Sequence, residues 1–389
     1  MKSIFELVSK RLPVLPDVYS AWATTPPLLS TALFGPQIPP PPVSAEFARE
    51  PWTLPSPREW TPETPPATLS SHLHKPCPTT IKHIVISGGS DKGFSYYAAL
   101  RESHRAGFWK LENIETVYGT SVGSIFAIFI VLLNHFSWEI YDNFLLKRPW
   151  HHIMNFNVQI IAQSIQQKGI FGSKVIEDIL APLFHAIDLS LNITMREFYE
   201  FTGIELHITT VELANFELVD ICHTTHPDWT VVDAVYASSC LPILFIPYLW
   251  NDRLFVDGGF VCNYPVHLCI DRGANPDEIL GITSTCTQAK RVYTVKLDTL
   301  PDYILYIIGL FLFKVAITPT PVKNQIEFSV YLPFPDLYKI YKTTTETQVR
   351  ADLKQDGVDA WNAFYEKTYP TPPAPEVPST PEEDNLFPL

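Results

Sequence analysis

The sequence is poor in cysteine and in charge. It has six cysteines in 389 residues, and none forms the CxxC spacing of a zinc-binding or redox pair. We therefore expect free thiols, as in a reducing compartment, and no metal site or other cofactor. Charged residues make up only 18% of the chain. An average globular domain has about 25%, so the composition favours a large apolar core.

Basic residues are also scarce, with 28 Lys and Arg against 41 Asp and Glu, for a net charge of -13. Nucleic-acid binding depends on neutralising phosphates with Lys and Arg, so this balance argues against a nucleic-acid partner. The first ten residues lack the apolar stretch of about 7–15 residues that a signal peptide needs. We expect a cytoplasmic protein or one that is peripheral to a membrane.

Long apolar runs are rare, and the main one covers residues 303–317. A membrane-spanning helix needs about 20 apolar residues, so this run is short. Pro319 and Pro321 follow it directly. We interpret the run as a buried or interfacial helix, with a transmembrane helix as the less favoured alternative.

Proline is abundant and unevenly placed, because 17 of the 36 prolines precede Ile81. Proline removes a backbone donor and fixes φ, so these stretches build little helix or sheet. We predict an irregular N-terminal arm over 1–80 and a proline-rich acidic tail over 370–389. Both are interpreted as linkers or tails, with binding of proline-recognising partners as the alternative. A folded domain is predicted over 81–290, with an extension over 291–369 packing on it.

Strand-like and helix-like segments alternate from residue 81 onward. Strand candidates are 81–87, 114–118, 204–211, 216–222, 254–256 and 278–283, and helix candidates are 94–107, 122–133, 138–147, 160–167, 174–184, 230–239 and 349–369. Strands that alternate with helices favour a parallel sheet covered on both faces. The sequence therefore predicts a three-layer α/β/α sandwich with a mainly parallel central sheet.

The segment Gly119-Thr-Ser121-Val-Gly123 lies between a strand candidate and a helix candidate. This G-x-S-x-G context is the one that a nucleophile elbow requires, with the serine exposed on a sharp turn at the end of the strand. Gly119 and Gly123 avoid collisions with the neighbouring strand and helix. The helix that follows directs its N-terminal N–H groups at the serine. Ser121 is thus the candidate nucleophile, although the motif alone is a weak signal.

A glycine-rich loop, Gly88-Gly89-Ser90-Asp-Lys92-Gly93, follows the first strand candidate of the core. Backbone N–H groups in such a loop can face a negative charge. Neither G-x-G-x-x-G nor the P-loop pattern is present, which argues against nucleotide binding. We interpret the loop as an oxyanion hole, with Gly89 and Ser90 as donors and Lys92 as a source of positive potential.

A third motif, Asp257-Gly258-Gly259, ends a short strand candidate. An aspartate within hydrogen-bond reach of a serine hydroxyl can serve as its general base. The two glycines would let the backbone bring Asp257 close to another element. An ordinary tight turn is the alternative for this motif taken alone.

Taken in this order, the three motifs resemble the patatin-like phospholipase domain, whose pattern is G-G-G-x-[RK]-G, then G-x-S-x-G, then D-G-[AG]. The likeness covers roughly residues 81–285 and includes an A-S-x-x-x-P segment at 237–242. It implies a patatin-like catalytic domain with a Ser121–Asp257 dyad, an acyl-enzyme, no metal, and phospholipid or acylglycerol substrates met by peripheral membrane contact. Ser90 departs from the usual glycine, and its Cβ could narrow the acyl approach.

Three other interpretations stay open. An α/β-hydrolase triad would need a histidine after Asp257, and only His267 follows, at short spacing. The pair His223 and His226 could suggest a metal, but no further ligand lies at suitable spacing, so we interpret it as a surface loop. The fold could also persist as an inactive lipid-binding or scaffold protein.

Overall fold

The computed structural model describes residues 79–155, 167–286, 303–304, 306–311, 321–330 and 336–370. The N-terminal arm, the acidic tail and most of the helix candidate at 160–167 lie outside these residues. Within the described residues, no helix is long and apolar enough to cross a bilayer.

The centre of the fold is an eight-stranded sheet in the order β10-β9-β1-β2-β4-β8-β7, with β5 paired to β4. Neighbouring strands among β10, β9, β1, β2 and β4 are parallel to each other. The pairings of β5 with β4, of β8 with β4 and of β7 with β8 are antiparallel. A separate parallel pair joins β3 and β6. The strands are β1 (His83–Ile86), β2 (Thr116–Thr120), β3 (Gly169–Phe171), β4 (Glu205–Glu212), β5 (Glu217–Ile221), β6 (Ile243–Phe245), β7 (Tyr248–Trp250), β8 (Arg253–Asp257), β9 (Ile279–Cys286) and β10 (Asn324–Val330).

Helices cover both faces of this sheet. They are α1 (Gly93–Arg105), α2 (Val122–Val131), α3 (Trp138–Lys147), α4 (Trp150–Ile153), α5 (Lys174–Ala186), α6 (Met195–Thr202), α7 (Val231–Ser238), α8 (Gly259–Cys262), α9 (Val266–Asp271), α10 (Leu337–Thr345) and α11 (Thr347–Thr368). The large core lies under α1, α2, α3 and α5. A smaller core lies on the opposite face, where α9 packs against β1 and β2. The predicted three-layer sandwich with a mainly parallel sheet is confirmed.

The apolar pattern of the central elements follows from this layering. All four residues of β1, HIVI, are buried, because a central parallel strand is covered on both faces. Helix α2 is almost entirely apolar because it lies between the sheet and the outer helices α1 and α3. Such a segment has no solvent face, which is why its sequence lacks amphipathic spacing.

Residues beyond 290 are built into the sheet as well as packed on it. Strand β10 pairs with β9 at the sheet edge, from Asn324 to Val330. Helix α11 packs along α1, and a Cβ on Gly357 would lie 2.2 Å from the Ser95 carbonyl oxygen. The domain boundary near 290 stays a prediction, but the sheet continues past it.

Candidate active site

Ser121 occupies the sharp turn between β2 and α2. Its φ of 53° and ψ of -127° are unfavourable for a residue with a side chain. The turn closes tightly, because a Cβ on Gly123 would lie 2.4 Å from the Ile86 carbonyl oxygen and a Cβ on Gly119 would lie 2.6 Å from the Gly123 carbonyl oxygen. The strand-turn-helix geometry expected of a nucleophile elbow is therefore present at this serine.

Strand β4 lies between the two strands that lead to Ser121 and Asp257. On one side, Thr120 of β2 pairs with Thr209 of β4. On the other side, Asp257 of β8 pairs with Thr210. Because Thr209 and Thr210 are consecutive, β2 and β8 end at the same level of β4. A Cβ on the next residue, Gly258, would lie 2.3 Å from the Thr209 carbonyl oxygen, so this approach needs a glycine.

The Asp257 carboxyl group is buried, and its Oδ1 accepts a hydrogen bond from the Gly259 N–H at 2.8 Å. Burial raises the pKa of Asp257 to about 6, and the neighbouring Ser121 hydroxyl and the Gly259 N–H oppose the rise. A carboxylate with this pKa is a stronger base than an ordinary aspartate at about 3.9 and is still ionised at neutral pH.

The loop after β1 lies against the serine. A Cβ on Gly88 would lie 3.3 Å from the Ser121 Cβ, and the Gly88 N–H is already bonded to the Asn263 carbonyl oxygen at 2.9 Å. The N–H groups of Gly89 and Ser90 have no hydrogen-bond partner among the residues that the structure describes. Both residues line the same cavity as Ser121. Two free backbone donors beside a nucleophile are what an oxyanion hole requires.

Ser90 has a φ of 51°, in the left-handed region. A Cβ in this region collides with the backbone and costs roughly 1–2 kcal/mol, whereas glycine has no such cost. The position therefore suits glycine, and the serine here is strained. Its backbone N–H is nevertheless available.

Lys92 and Gly93, the last residues of the loop, contact α11 and α2 and do not line the cavity. The Lys92 ammonium lies 3.3 Å from Asp356 of α11, and Lys92 does not line the cavity. This differs from the expectation that its charge adds to the oxyanion site. Gly93 starts α1, and a Cβ on it would lie 2.5 Å from Val122 Cγ2, so it allows α1 and α2 to meet. On the side facing α10, Lys339 lies 2.8 Å from the buried Asp91 carboxylate.

Sequence reasoning missed Asn263. Its side-chain amide donates to the Gly88 carbonyl oxygen at 3.2 Å, and the residue lines the cavity. Ser238 was noted only as part of a pattern; its Oγ accepts a hydrogen bond from the Ser121 N–H at 2.8 Å. Both side chains hold the backbone around the nucleophile. The short spacing of Asn263 from the Asp257 motif was the only available signal.

A cavity of about 180 Å³ opens at Ser121. Its polar end contains Ser121, Asp257, Asn263 and the glycine-rich loop. The rest is apolar, with walls that include Phe94, Ile125, Phe126, Phe129, Trp150, Ile179 and Leu244. No histidine is among the described residues that line it. An apolar cavity with a few convergent polar groups is typical of a site for an apolar ligand.

The profile of the family described as patatin-like phospholipase matches residues 84–270, which include Ser121 and Asp257. This segment belongs to the patatin-like phospholipase family. The family assignment expected from the motifs is therefore confirmed.

Two viral proteins are similar to this chain. One is named a probable lipid hydrolase, 463L of Invertebrate iridescent virus 6, and is 27% identical over 193 residues, or 50% of this chain and 64% of the viral protein. The other is the uncharacterized protein R571 of Acanthamoeba polyphaga mimivirus, 27% identical over 294 residues, or 71% of this chain and 88% of its own. The chain thus spans under two thirds of the first relative.

Two solved bacterial proteins overlap with this chain more loosely. VipD from Legionella pneumophila has a TM-score of 0.41 at 17% identity, covering 75% of this chain and 67% of its own. ExoU from Pseudomonas aeruginosa has a TM-score of 0.34 at 17% identity, covering 75% of this chain and 54% of its own. At such scores, the strand order described above characterises the fold better than these overlaps do.

Proposed function

We propose that the chain is a serine acyl hydrolase that cleaves carboxylic ester bonds of phospholipids or related acyl lipids. Family membership and the lipid hydrolase name of one relative support lipid hydrolysis in general. The observation that carries the finer proposal is that Ser121 and Asp257 line the polar end of one apolar cavity, where the Ser121 hydroxyl lowers the pKa of the Asp257 carboxyl group against the effect of burial. This arrangement would pair a nucleophile with a base where an acyl chain can lie.

In this mechanism the Ser121 Oγ attacks the ester carbonyl carbon and its proton passes to Asp257. The N–H groups of Gly89 and Ser90 stabilise the negative charge on the carbonyl oxygen. Collapse of the intermediate breaks the ester C–O bond, and the leaving alkoxide takes the proton from Asp257. Water then attacks the acyl carbon of the acyl-enzyme and passes a proton to Asp257. The bond between the acyl carbon and Ser121 Oγ breaks, Asp257 returns the proton to Oγ, and the fatty acid is released.

The alternative Ser-His-Asp triad is less well supported. His267 lies in α9, on the sheet face opposite α2, and it does not line the cavity. A triad histidine must hydrogen-bond to the nucleophile, and no histidine is among the described residues that line the cavity at Ser121. The arrangement therefore favours the dyad.

Substrate would reach this cavity from a lipid surface along residues 303–311. Tyr303, Ile307 and Phe311 expose 50%, 45% and 48% of their surfaces. Ile308 of the same segment is buried against Leu241 and Leu244, which line the cavity. An exposed apolar patch beside a lipid site suits insertion into a bilayer surface. Ile307→Ser with Phe311→Ser should weaken binding to phosphatidylcholine vesicles, whereas Leu249→Ser, exposed on β7, should not.

The deciding experiment assays the purified chain against glycerophospholipids, lysolipids and neutral acylglycerols, with a fluorophosphonate probe for the nucleophile. We expect fatty-acid release from at least one class and covalent labelling at Ser121. A folded chain that neither labels nor hydrolyses any class would instead favour an inactive lipid-binding or scaffold protein. In that case the proline-rich arms would be the next region to test for binding partners.

A further inference from the structure

A second cluster of reactive side chains lies between β4 and β5, away from the catalytic cavity. Side chains alternate along a strand, so Glu205 and His207 of β4 share one face. The antiparallel register pairs Ile208 with Ile221, which places Cys222 opposite His207 on that face. The donor atoms of Glu205, His207 and Cys222 all lie within 4.8 Å of one another.

Two imidazole nitrogens face this cluster without a hydrogen bond of ordinary geometry. His207 is 0% exposed, and its Nε2 has no hydrogen-bond partner among the described residues. The same holds for Nδ1 of His223. Glu205 Oε1 lies between them, 3.3 Å from His207 Nε2 and 3.6 Å from His223 Nδ1. A buried polar nitrogen without a partner is costly, so these lone pairs suit an electrophile at their centre.

The His207 ring is held in the orientation that a metal ligand needs. Its Nδ1 lies 2.9 Å from Asp220, which in turn accepts a hydrogen bond from Arg272 at 2.6 Å. Tyr118 stacks on the imidazole at 4.1 Å with an interplanar angle of 7°. A carboxylate on one nitrogen places the proton there and leaves the lone pair of the other for a metal.

The distances also fit a small tetrahedral ion. Ligands at about 2.0–2.3 Å from a tetrahedral Zn²⁺ lie about 3.3–3.8 Å from each other. The separation of His207 Nε2 from Glu205 Oε1, 3.3 Å, falls in this range. A carboxylate and a thiolate would balance the charge of a divalent cation, and mixed N, S and O donors suit zinc.

We propose that Glu205, His207 and Cys222 bind one Zn²⁺ ion, which joins the ends of β4 and β5. His223 Nδ1 lies 3.6 Å from Glu205 Oε1 but outside this group of three ligands, so water would take the fourth tetrahedral position. Binding needs the Cys222 thiolate and a neutral His207 imidazole, so the protons on these two ligand atoms pass to solvent. None of the three ligands lines the catalytic cavity, so the zinc site is independent of the ester chemistry.

The test uses the full chain, purified, dialysed against metal-free buffer and titrated with Zn²⁺ or Co²⁺. We expect about one metal ion per chain by mass spectrometry. Co²⁺ should give the near-ultraviolet thiolate charge-transfer band and the intense visible bands of a tetrahedral site. Absence of both bands from the unmodified chain would overturn the proposal, because the cluster would then be only a proton-linked ion-pair network.

Variants assign the ligands. Cys222→Ser should remove the thiolate band and weaken zinc binding by roughly 100-fold or more, while Cys269→Ser, a buried thiol in α9, should change neither. Asp220→Asn should weaken binding by about 10–100-fold and keep the band, since Asp220 positions His207 without touching the metal. A band that persists in Cys222→Ser would contradict the assignment. If that variant does not fold, the spectrum of the unmodified chain decides.

Discussion

Ser121 and Asp257 line the same cavity, although β4 separates the strands that lead to them. Two adjacent residues of β4, Thr209 and Thr210, bring the ends of these two strands to the same level by pairing with one strand each. The catalytic proposal depends on this juxtaposition, and most of the following predictions test its parts.

The first prediction concerns the nucleophile. Ser121→Ala should lower ester hydrolysis by at least about 10³-fold, because no other group supplies the attacking oxygen. Ser121→Gly should lose activity equally but raise the free energy of unfolding by about 1–2 kcal/mol, since glycine relieves the strained φ of 53°. Steady-state hydrolysis and urea denaturation measure the two effects. Equal stability of the two variants would argue against stored strain at the turn.

The second prediction concerns pH and activity. The base must be ionised, and burial raises the pKa of Asp257 to about 6. Hydrolysis with a water-soluble ester should therefore rise about tenfold per pH unit below pH 6 and level off above it. The profile of kcat/KM against pH measures this. A profile that levels off already near pH 4 would mean that the base is an ordinary exposed carboxylate.

The third prediction concerns pH and stability. Below about pH 4 Asp257 is protonated in both the folded and the unfolded chain, and it has no effect on stability. Between about pH 4 and 6 only the unfolded chain loses this proton, so stability falls as pH rises, and the full penalty of roughly 1–3 kcal/mol remains above pH 6. Asp257→Asn should therefore be inactive and more stable at pH 7, with the difference vanishing near pH 4. Thermal unfolding at both pH values tests this, and a variant less stable at pH 7 would contradict it.

The fourth prediction concerns the departure from the family pattern. Ser90→Gly should raise the free energy of unfolding by about 0.5–1 kcal/mol, because φ is 51° at this position. The backbone N–H is retained, so hydrolysis should be unchanged or faster. Denaturation and kinetic assays of the single variant suffice. A large loss of activity would mean that the Ser90 hydroxyl takes part in the site.

The fifth prediction concerns the packing beneath the nucleophile. Gly123→Ala should destabilise the fold by more than about 2 kcal/mol. The new Cβ would lie 2.4 Å from the Ile86 carbonyl oxygen, and relieving this clash requires the backbone of β1 or α2 to move. Gly172→Ala is the matched control, because its nearest contact would be at 4.0 Å. Comparison of their melting temperatures tests the claim. Similar melting temperatures for the two variants would show that the turn at Ser121 can accommodate a Cβ at position 123.

Sequence patterns predicted the central elements well. The helix candidate at 138–147 coincides with α3, and the candidates around β1, β2 and α2 differ from the structure by a few residues. These segments have strong apolar periodicity or sharp glycine boundaries, which local physics determines. Strands β3, β6 and β7 were missed, because each has three residues and no period to detect. Strand β10 was missed because it lies at the sheet edge and follows a long apolar run.

The proposed zinc ligands also could not be identified from sequence patterns. The sequence drew attention to His223 and His226 and to the lack of a CxxC pair. The cluster instead joins Glu205 and His207 of β4 with Cys222, which follows β5, and only strand pairing brings them together. Spacing along the chain reports ligands that share an element, but it cannot report ligands that meet across a sheet.

The amino-acid sequence by itself determined the layered α/β fold, the turn at Ser121 and the candidate aspartate at 257, because turns and glycine positions are local properties. Only the tertiary structure decided that Asp257 and Ser121 line one cavity, that Lys92 is directed to Asp356, and that Asn263 supports the loop. These contacts depend on strand order and register, which arise from packing over the whole sheet.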